Sequence, residues 1–239
     1  MKKRRFKTAF ILGAGLGNRL RPLTERCPKP LLPLGRQPII TYAMDHLIGV
    51  GIERFIVNTH HCHEVYDQKF PARQWRGIPI IFCYEPVLLD TGGGLKNIEE
   101  LLVEDEVILC YNGDVFSTLP LQRLIEAHER MRPEVTLALR SSGGLLNVNI
   151  SHDGRIVDLR HTFGISGVQA CLFTGIYTVE TSFLQFADSG KPESIVAVLL
   201  RQIRENGESI RGVVIDEGDW SDIGSLDTYK KLRNTMEGL

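Results

Sequence analysis

Neither sign of charge dominates this chain. Across 239 residues, 28 lysines and arginines meet 29 aspartates and glutamates, a formal net charge of −1. A dedicated nucleic-acid binder carries a basic excess, so that class is set aside. No apolar run approaches the roughly 20 residues that a bilayer-spanning helix needs. The five cysteines (Cys27, Cys62, Cys83, Cys110, Cys171) include no Cys-x-x-Cys pair. Such an odd, unpatterned set predicts reduced thiols in a cytoplasmic protein. Gly-x-x-x-x-Gly-Lys-Ser/Thr is missing, which excludes a P-loop kinase or ATPase. Gly-x-Ser-x-Gly is missing too, so serine hydrolase chemistry has no nucleophile elbow. Repeats, low-complexity tracts and linkers are also lacking. With 43% hydrophobic and 24% charged residues, one ordinary globular domain over 1–239 is expected. The first five residues, Met-Lys-Lys-Arg-Arg, are basic like a signal peptide. The apolar run at 8–12 is too short for an h-region, so a solvated lead into the first strand is expected.

What is present is an alternation of strands and helices. Strands are predicted at 8–12, 54–58, 78–84, 107–111 and 134–140. Helices are predicted at 38–48, 61–70, 95–102 and 120–131. Repeated strand–helix units imply a parallel sheet with right-handed crossovers. The strand at 107–111 is the most apolar and is placed at the centre, covered on both faces. The second half differs. A hairpin at 145–150 and 155–159 turns at His152-Asp153-Gly154. A strand at 170–179, helices at 181–187 and 193–205, a strand at 210–215 and a helix at 226–236 follow. Two glycine clusters (13–17 and 92–94) and Asp114 all come directly after strands. In an open parallel sheet that is the carboxyl edge, where ligands bind.

The densest chemistry lies in 12–31. Gly13, Gly15 and Gly17 sit on alternate positions, Arg19 and Arg21 follow, and Lys29 is held between Pro28 and Pro30. Glycine permits close backbone approach, arginine forks match phosphate oxygens, and lysine adds a point charge. The stretch reads as a polyphosphate site. A dinucleotide fingerprint fails, because Asn18 stands at the third glycine position and Asn58-Thr59-His60, without an acid, ends the second strand. Asp114 is either an Asx-turn residue or a Mg²⁺ ligand, and Asp222 either a helix-start residue or a second one. His60-His61-Cys62-His63 is too tightly spaced for a zinc tetrahedron and reads as a turn entering a helix. Ser141-Ser142-Gly143-Gly144 reads as a connection at the pocket rim. Glu205, Glu208 and Lys230-Lys231 read as solvated helix faces.

These residues carry a family resemblance. Leu12-Gly-Ala-Gly-Leu-Gly-Asn-Arg-Leu-Arg-Pro-Leu-Thr24 and Pro28-Lys-Pro-Leu31 resemble the signature of the sugar-1-phosphate nucleotidyltransferases. Thr91-Gly-Gly-Gly94, Asn112-Gly-Asp114, Thr174-Gly-Ile-Tyr177 and Trp220-Ser-Asp-Ile-Gly224 match later motifs in order. The resemblance spans nearly the whole chain. It implies an α/β, Rossmann-like, three-layer nucleotide-diphospho-sugar transferase fold with a mostly parallel mixed central sheet. It implies condensation of an NTP with a sugar 1-phosphate, releasing pyrophosphate, with Mg²⁺ as cofactor. By analogy Arg19 and Lys29 are catalytic. Leu12, Gly13, Ala14, Gly15, Gly17, Asn18, Gly92 and Gly93 hold the nucleotide. Asn112, Asn147, Arg160 and Gly175 hold the sugar phosphate, and Asp114 and Asp222 hold the metal. The NTP half covers about 1–115 and the sugar-phosphate half about 116–239. Gly13 departs from the commoner Ala and Asn18 from Thr or Ser. Arg160 stands where many members carry the lysine of Glu-Lys-Pro, and the glutamine that reads a pyrimidine in thymidylyl relatives has no clear counterpart. The chain looks most like small enzymes making UDP-N-acetylmuramic acid, GDP-mannose or GDP-heptose. The C-terminal β-helix or acyltransferase domain of other members is not expected. Neither a nucleic-acid nor a membrane partner is expected, and the assembly expected is a monomer or small homo-oligomer. The alternatives are a weakly active nucleotide-sugar-sensing subunit and a phosphocholine cytidylyltransferase on the same fold.

Overall fold

The computed structural model describes residues 6–104 and 106–237. The basic start at 1–5 lies outside the described residues. The first half runs β1 (Thr8–Leu12), a ribbon of β2 (Pro33–Leu34) and β3 (Gln37–Pro38), α1 (Ile39–Ile48), β4 (Arg54–Thr59) and α2 (Glu64–Lys69). It continues with β5 (Gln74–Trp75), β6 (Ile78–Tyr84), α3 (Asp90–Asn97) and β7 (Val107–Asn112). Then come β8 (Val115–Ser117), α4 (Leu121–Met131), β9 (Val135–Arg140), β10 (Val148–Ile150) and β11 (Ile156–Leu159). The chain closes with β12 (Gln169–Glu180), α5 (Ile195–Glu205), β13 (Ile210–Val214), β14 (Trp220–Asp222) and α6 (Leu226–Glu237).

One large sheet has the order β11-β10-β12-β7-β1-β4-β6-β5, with β9 beside β12 and β13 beside β9. Strands β7, β1, β4 and β6 form a parallel block. Strand β12 runs antiparallel to β7, β9 and β10, so the second half converts the sheet into a mixed one. The central strands are buried on both faces. In β1, Ala9 and Ile11 enter one core with α1, α2 and α4, while Phe10 enters another with α3 and α5. That is the period-two alternation of a strand covered on both sides. A third, smaller cluster joins Leu20, Leu32, Leu34, Ile39, Ile223 and Tyr229. It lies between the loops of the first half and α6, and each such buried side chain contributes on the order of 1.5–3 kcal/mol.

The alternation and the 152–154 hairpin appear as expected. Three elements differ. The glycines of 92–94 lie inside α3 instead of leading into it, and α3 ends at Asn97, not 102. Burial explains this: Gly92 N–H and Gly93 N–H both donate to Glu193 O, at 2.8 and 2.9 Å. A Cβ on Gly93 would stand 2.5 Å from Lys191 O, so only glycines let α3 lie this close to the segment before α5. The 61–70 helix shortens to α2, and 181–187 is a 3₁₀ turn over Thr181–Phe186. The short ribbons β2/β3 and β8/β14 leave too few residues for a pattern. Among the described residues, no helix is long and apolar enough to cross a membrane.

Candidate active site

The candidate residues converge at the carboxyl edge of the parallel block. Gly13, directly after β1, is buried and has both backbone polar groups engaged. Its N–H donates to Asn58 Oδ1 at 2.8 Å, and its carbonyl accepts from the Tyr66 hydroxyl at 2.9 Å. Gly15 is exposed, with no heavy atom within 4 Å of where a Cβ would stand. Gly17 takes a left-handed φ of 64°, and its carbonyl accepts from Thr24 Oγ1 at 2.8 Å. A 3₁₀ turn over Asn18–Leu20 then buries Leu20 in the third cluster and leaves Asn18 and Arg19 facing solvent. Of the three glycines, Gly15 is therefore the one open to a ligand.

Lys29 starts a second 3₁₀ turn capped by Pro28, and it is only 8% exposed. Its ammonium is ion-paired with Asp114 Oδ2. Asp114 follows Gly113, whose N–H donates to Leu12 O at 3.0 Å. A Cβ on Gly113 would stand 2.5 Å from that oxygen, so the end of β7 can tuck against β1 only with glycine there. The antiparallel ribbon β8/β14 pairs Asp222 with Val115, and Ile223 N–H donates to Asp114 O at 3.0 Å. Two aspartates 108 positions apart thus stand side by side. Partial withdrawal from water and the Asp114 carboxylate raise the Asp222 pKa, with Lys29 and Arg19 opposing. A Cβ on Gly224 would stand 3.2 Å from Arg19 Nη1 and 3.3 Å from Asp222 Oδ2, which places Arg19 at the same spot.

This donor set fits Mg²⁺. Asp114 and Asp222 offer hard carboxylate oxygens from two elements fixed by one ribbon. Among the described residues no group of three His, Cys, Asp or Glu could hold a metal. Mg²⁺ is satisfied by one or two carboxylates when substrate phosphates and water complete its shell.

Beside the aspartates opens a cavity of about 510 Å³, lined by Asn112, Asn147, Arg160, Gly175 and Trp220. Gly175, at φ 76°, interrupts β12, and a Cβ there would stand 2.4 Å from Asn112 Nδ2. Trp220 is oriented by its indole N–H, which donates to Thr174 O at 2.9 Å. Arg160 and His161 are consecutive non-glycine residues with left-handed φ, 57° and 56°. Backbone strain of this kind persists only where the surroundings impose it. Asp158, fully buried, accepts the N–H groups of Phe163 at 3.2 Å and Ile165 at 3.1 Å, and Arg160 N–H donates to Asn147 O at 2.7 Å. Gly144 and Leu145 reach the rim of this cavity, as the 141–144 connection predicts. The three histidines of 60–63 diverge: His60 bonds Glu85 O, His61 bonds Thr24 O, and His63 stacks on Tyr84 at 4.2 Å.

Residues 8–237 match the family described as nucleotidyl transferase. This chain belongs to the nucleotidyl transferase family. Among its relatives is the D-glycero-alpha-D-manno-heptose 1-phosphate guanylyltransferase of Aneurinibacillus thermoaerophilus, 34% identical over 236 residues, covering 96% of this chain and 98% of that one. The mannose-1-phosphate guanylyltransferase of Mycobacterium tuberculosis is 29% identical over 225 residues, covering 92% of this chain and 62% of the relative. This chain therefore spans about three-fifths of that relative's length. In fold, it is similar to the crystal structure of HddC from Yersinia pseudotuberculosis complexed with GMP-PN. The TM-score is 0.79 at 20% identity, covering 96% and 99% of the two chains.

In this member of the family, Arg19, Lys29, Asp114 and Asp222 come together, and Asn112, Asn147, Arg160 and Gly175 line one cavity. Gly92 and Gly93 instead turn the positions a Cβ would take toward the 191–195 backbone. Sequence reasoning missed Asn58, Tyr66, Glu85 and Asp158. Asn58 did carry a signal: it closes the strand predicted at 54–58, on the carboxyl edge where ligands are expected.

Proposed function

We propose that this chain joins an NTP to a sugar 1-phosphate, giving a nucleoside diphosphate sugar and pyrophosphate. One observation carries the reading. The β8/β14 ribbon sets Asp114 and Asp222 against Lys29 and Arg19, between the open 15–18 loop and the cavity of Asn112, Asn147, Arg160 and Gly175. A charged centre between two substrate-sized spaces suits a two-substrate phosphoryl-centred reaction. The backbone around Ala14, Gly15, Gly17 and Asn18, flanked by Leu12, takes the nucleotide. Arg160 takes the second substrate's phosphate, and the polar groups of Asn112 and Asn147 take its sugar. Asp114 and Asp222 would hold Mg²⁺, which when bound would supply positive charge to offset the charge that develops on the departing pyrophosphate.

The chain's own groups need only align and neutralise. The attacking oxygen is a phosphate oxygen already ionised near neutral pH, since its second pKa is about 6. No general base is required. A bond forms between that oxygen and the α-phosphorus, the α–β bridging bond breaks, and pyrophosphate leaves with the electron pair. Arg160 and Arg19 hold the two phosphates in line, and Lys29 turns from Asp114 to the transferred phosphate. Such positioning and charge stabilisation account for most of the acceleration in phosphoryl chemistry. A cytoplasmic location, among NTP pools, accords with five free cysteines. Asp114→Asn and Asp222→Asn test the reading. Each is expected to lower turnover at least about 100-fold, as loss of one preorganised electrostatic group does, with circular dichroism unchanged. Wild-type turnover in both would refute the role of the aspartate pair.

A further inference from the structure

Four buried residues behind the nucleotide loop have no place in the chemistry above, yet they are joined. Asn58 is the penultimate residue of β4, and Glu85 directly follows β6, the neighbouring strand. Asn58 Nδ2 donates to Glu85 Oε1 at 2.8 Å, and Asn58 Oδ1 accepts Gly13 N–H at 2.8 Å. The second Glu85 oxygen accepts Leu89 N–H at 3.0 Å. From the other side Tyr66 donates its hydroxyl to Gly13 O. Gly94 of α3 closes the group from above: a Cβ there would stand 2.8 Å from both Asn58 Nδ2 and Glu85 Oε1. Asn58 and Tyr66 are 2% and 0% exposed and Glu85 is 0% exposed. Burial at this level leaves no water to repair a mismatched donor and acceptor.

The chemistry of each group then sets a direction. An amide can turn over, since its oxygen and nitrogen are nearly the same shape. An ionised carboxylate can only accept. Facing Glu85, the Asn58 amide must present its NH₂, so its oxygen is left pointing at Gly13 N–H. A donor in place of the Glu85 oxygen would reverse the amide and set NH₂ against N–H. We propose that Glu85 is a positioning residue for the nucleotide: by fixing the orientation of the Asn58 amide it locks the Gly13 peptide, with Tyr66 locking the same peptide's carbonyl. The inference rests on the reading of the 14–18 loop as the nucleotide site. Gly13 itself gives no N–H to a phosphate. It is the fixed post from which the open part of the loop, Gly15 to Asn18, hangs. Glu85 touches no substrate and acts on the loop through Asn58.

This fixed polarity allows a specific rescue. Glu85→Gln puts an NH₂ opposite the Asn58 NH₂, or opposite Leu89 N–H, and one pairing is lost in either arrangement. Asn58→Asp alone sets two carboxylates face to face. The double variant N58D/E85Q restores every pairing. The carboxylate introduced at position 58 would accept from Gly13 N–H and from the amide NH₂ introduced at position 85. The carbonyl of that same amide would accept from Leu89 N–H. Net charge is unchanged from wild type.

Binding of MgGTP and MgUTP by calorimetry, and KM for each substrate of turnover at pH 8, test this with the full chain. E85Q is expected to weaken binding of the nucleotide that is turned over about tenfold, the cost of one buried hydrogen bond. KM for the sugar 1-phosphate should stay within about twofold. The double variant should recover nucleotide binding to within about threefold of wild type, a recovery that a merely structural role for Glu85 would not confine to one substrate. Unchanged nucleotide binding in E85Q, or a double variant as weak as E85Q, would overturn the proposal. If E85Q fails to fold, Tyr66→Phe carries the test: loosened nucleotide binding with an unchanged sugar-phosphate KM supports the latch, and wild-type binding overturns it. Arg19→Ala separates the two levels. If it weakens nucleotide binding while E85Q does not, the latch fails and the loop reading stands; if it too leaves binding unchanged, the loop reading fails.

Discussion

Two glycines of one loop should respond in opposite ways to the same added methyl group. Alanine is the commoner residue of the motif at position 13, so Gly13→Ala looks conservative from sequence alone. In the structure a Cβ there would stand 2.7 Å from Asn58 O, 2.7 Å from Tyr66 Oη and 2.9 Å from Val57 Cγ1. The first is backbone of a central strand and cannot step aside. Overpacking of this kind costs about 1–3 kcal/mol, and each kcal/mol lowers Tm by about 2–4 °C in a chain of this length. A fall of about 6 °C is the expected centre of that range. Gly15→Ala meets nothing within 4 Å, and its φ lies outside the left-handed region. Its stability should stay within about 0.5 kcal/mol of wild type, or rise slightly as the unfolded chain loses freedom. Its methyl group, however, stands on the open side of the loop, and nucleotide affinity should fall about tenfold, near 1.4 kcal/mol. Thermal unfolding by circular dichroism and calorimetric MgNTP binding read the two quantities separately. A wild-type Tm for Gly13→Ala, or unchanged nucleotide affinity for Gly15→Ala, would refute the division of labour within the loop.

The pH response of Asp222 follows from its surroundings. Its folded pKa is raised, so the group contributes stability below the ordinary aspartate pKa of about 3.9, and that contribution is lost as pH rises through the folded value. Metal-free Asp222→Asn should therefore unfold at higher temperature than wild type at pH 7.5, with the gap closing toward pH 4; a gap constant with pH would contradict this. Arg160→Ala should raise KM for the sugar 1-phosphate at least about tenfold, the loss of a charge-assisted contact, while KM for the NTP stays within about twofold. Equal effects on both substrates would place Arg160 elsewhere than on the second phosphate.

The centre of the site was legible because its residue types have few other uses. Glycines, arginines and a proline-flanked lysine directly after a first strand already indicate a phosphate site, and Asp114 follows the most apolar strand. Its partner was less legible. Asp222 reaches Asp114 through β8 and β14, three residues each, and such short strands leave no alternation to detect. The 92–94 glycines read as a loop because glycine disfavours helix, by about 1 kcal/mol each relative to Ala. Contact with the 191–195 backbone, remote in sequence, overrides that preference. Glu85 and Asn58 look like ordinary strand-end polar residues, and their pairing exists only because β4 and β6 are neighbours in the sheet. Asp158 is hidden for a similar reason: its carboxylate serves a loop whose left-handed turn at Arg160 and His161 no propensity predicts.

Nucleotidyl transfer itself is tested most directly by pyrophosphate release, measured with Mg²⁺ over a panel of GTP, UTP, CTP and dTTP against mannose, glucose, N-acetylmuramate and heptose 1-phosphates. Release is expected in at least one pair, equimolar with a nucleoside diphosphate sugar and abolished by EDTA. Measurable nucleotide binding with no release in any pair would contradict nucleotidyl transfer to a sugar 1-phosphate, as would release only from CTP with phosphocholine as acceptor.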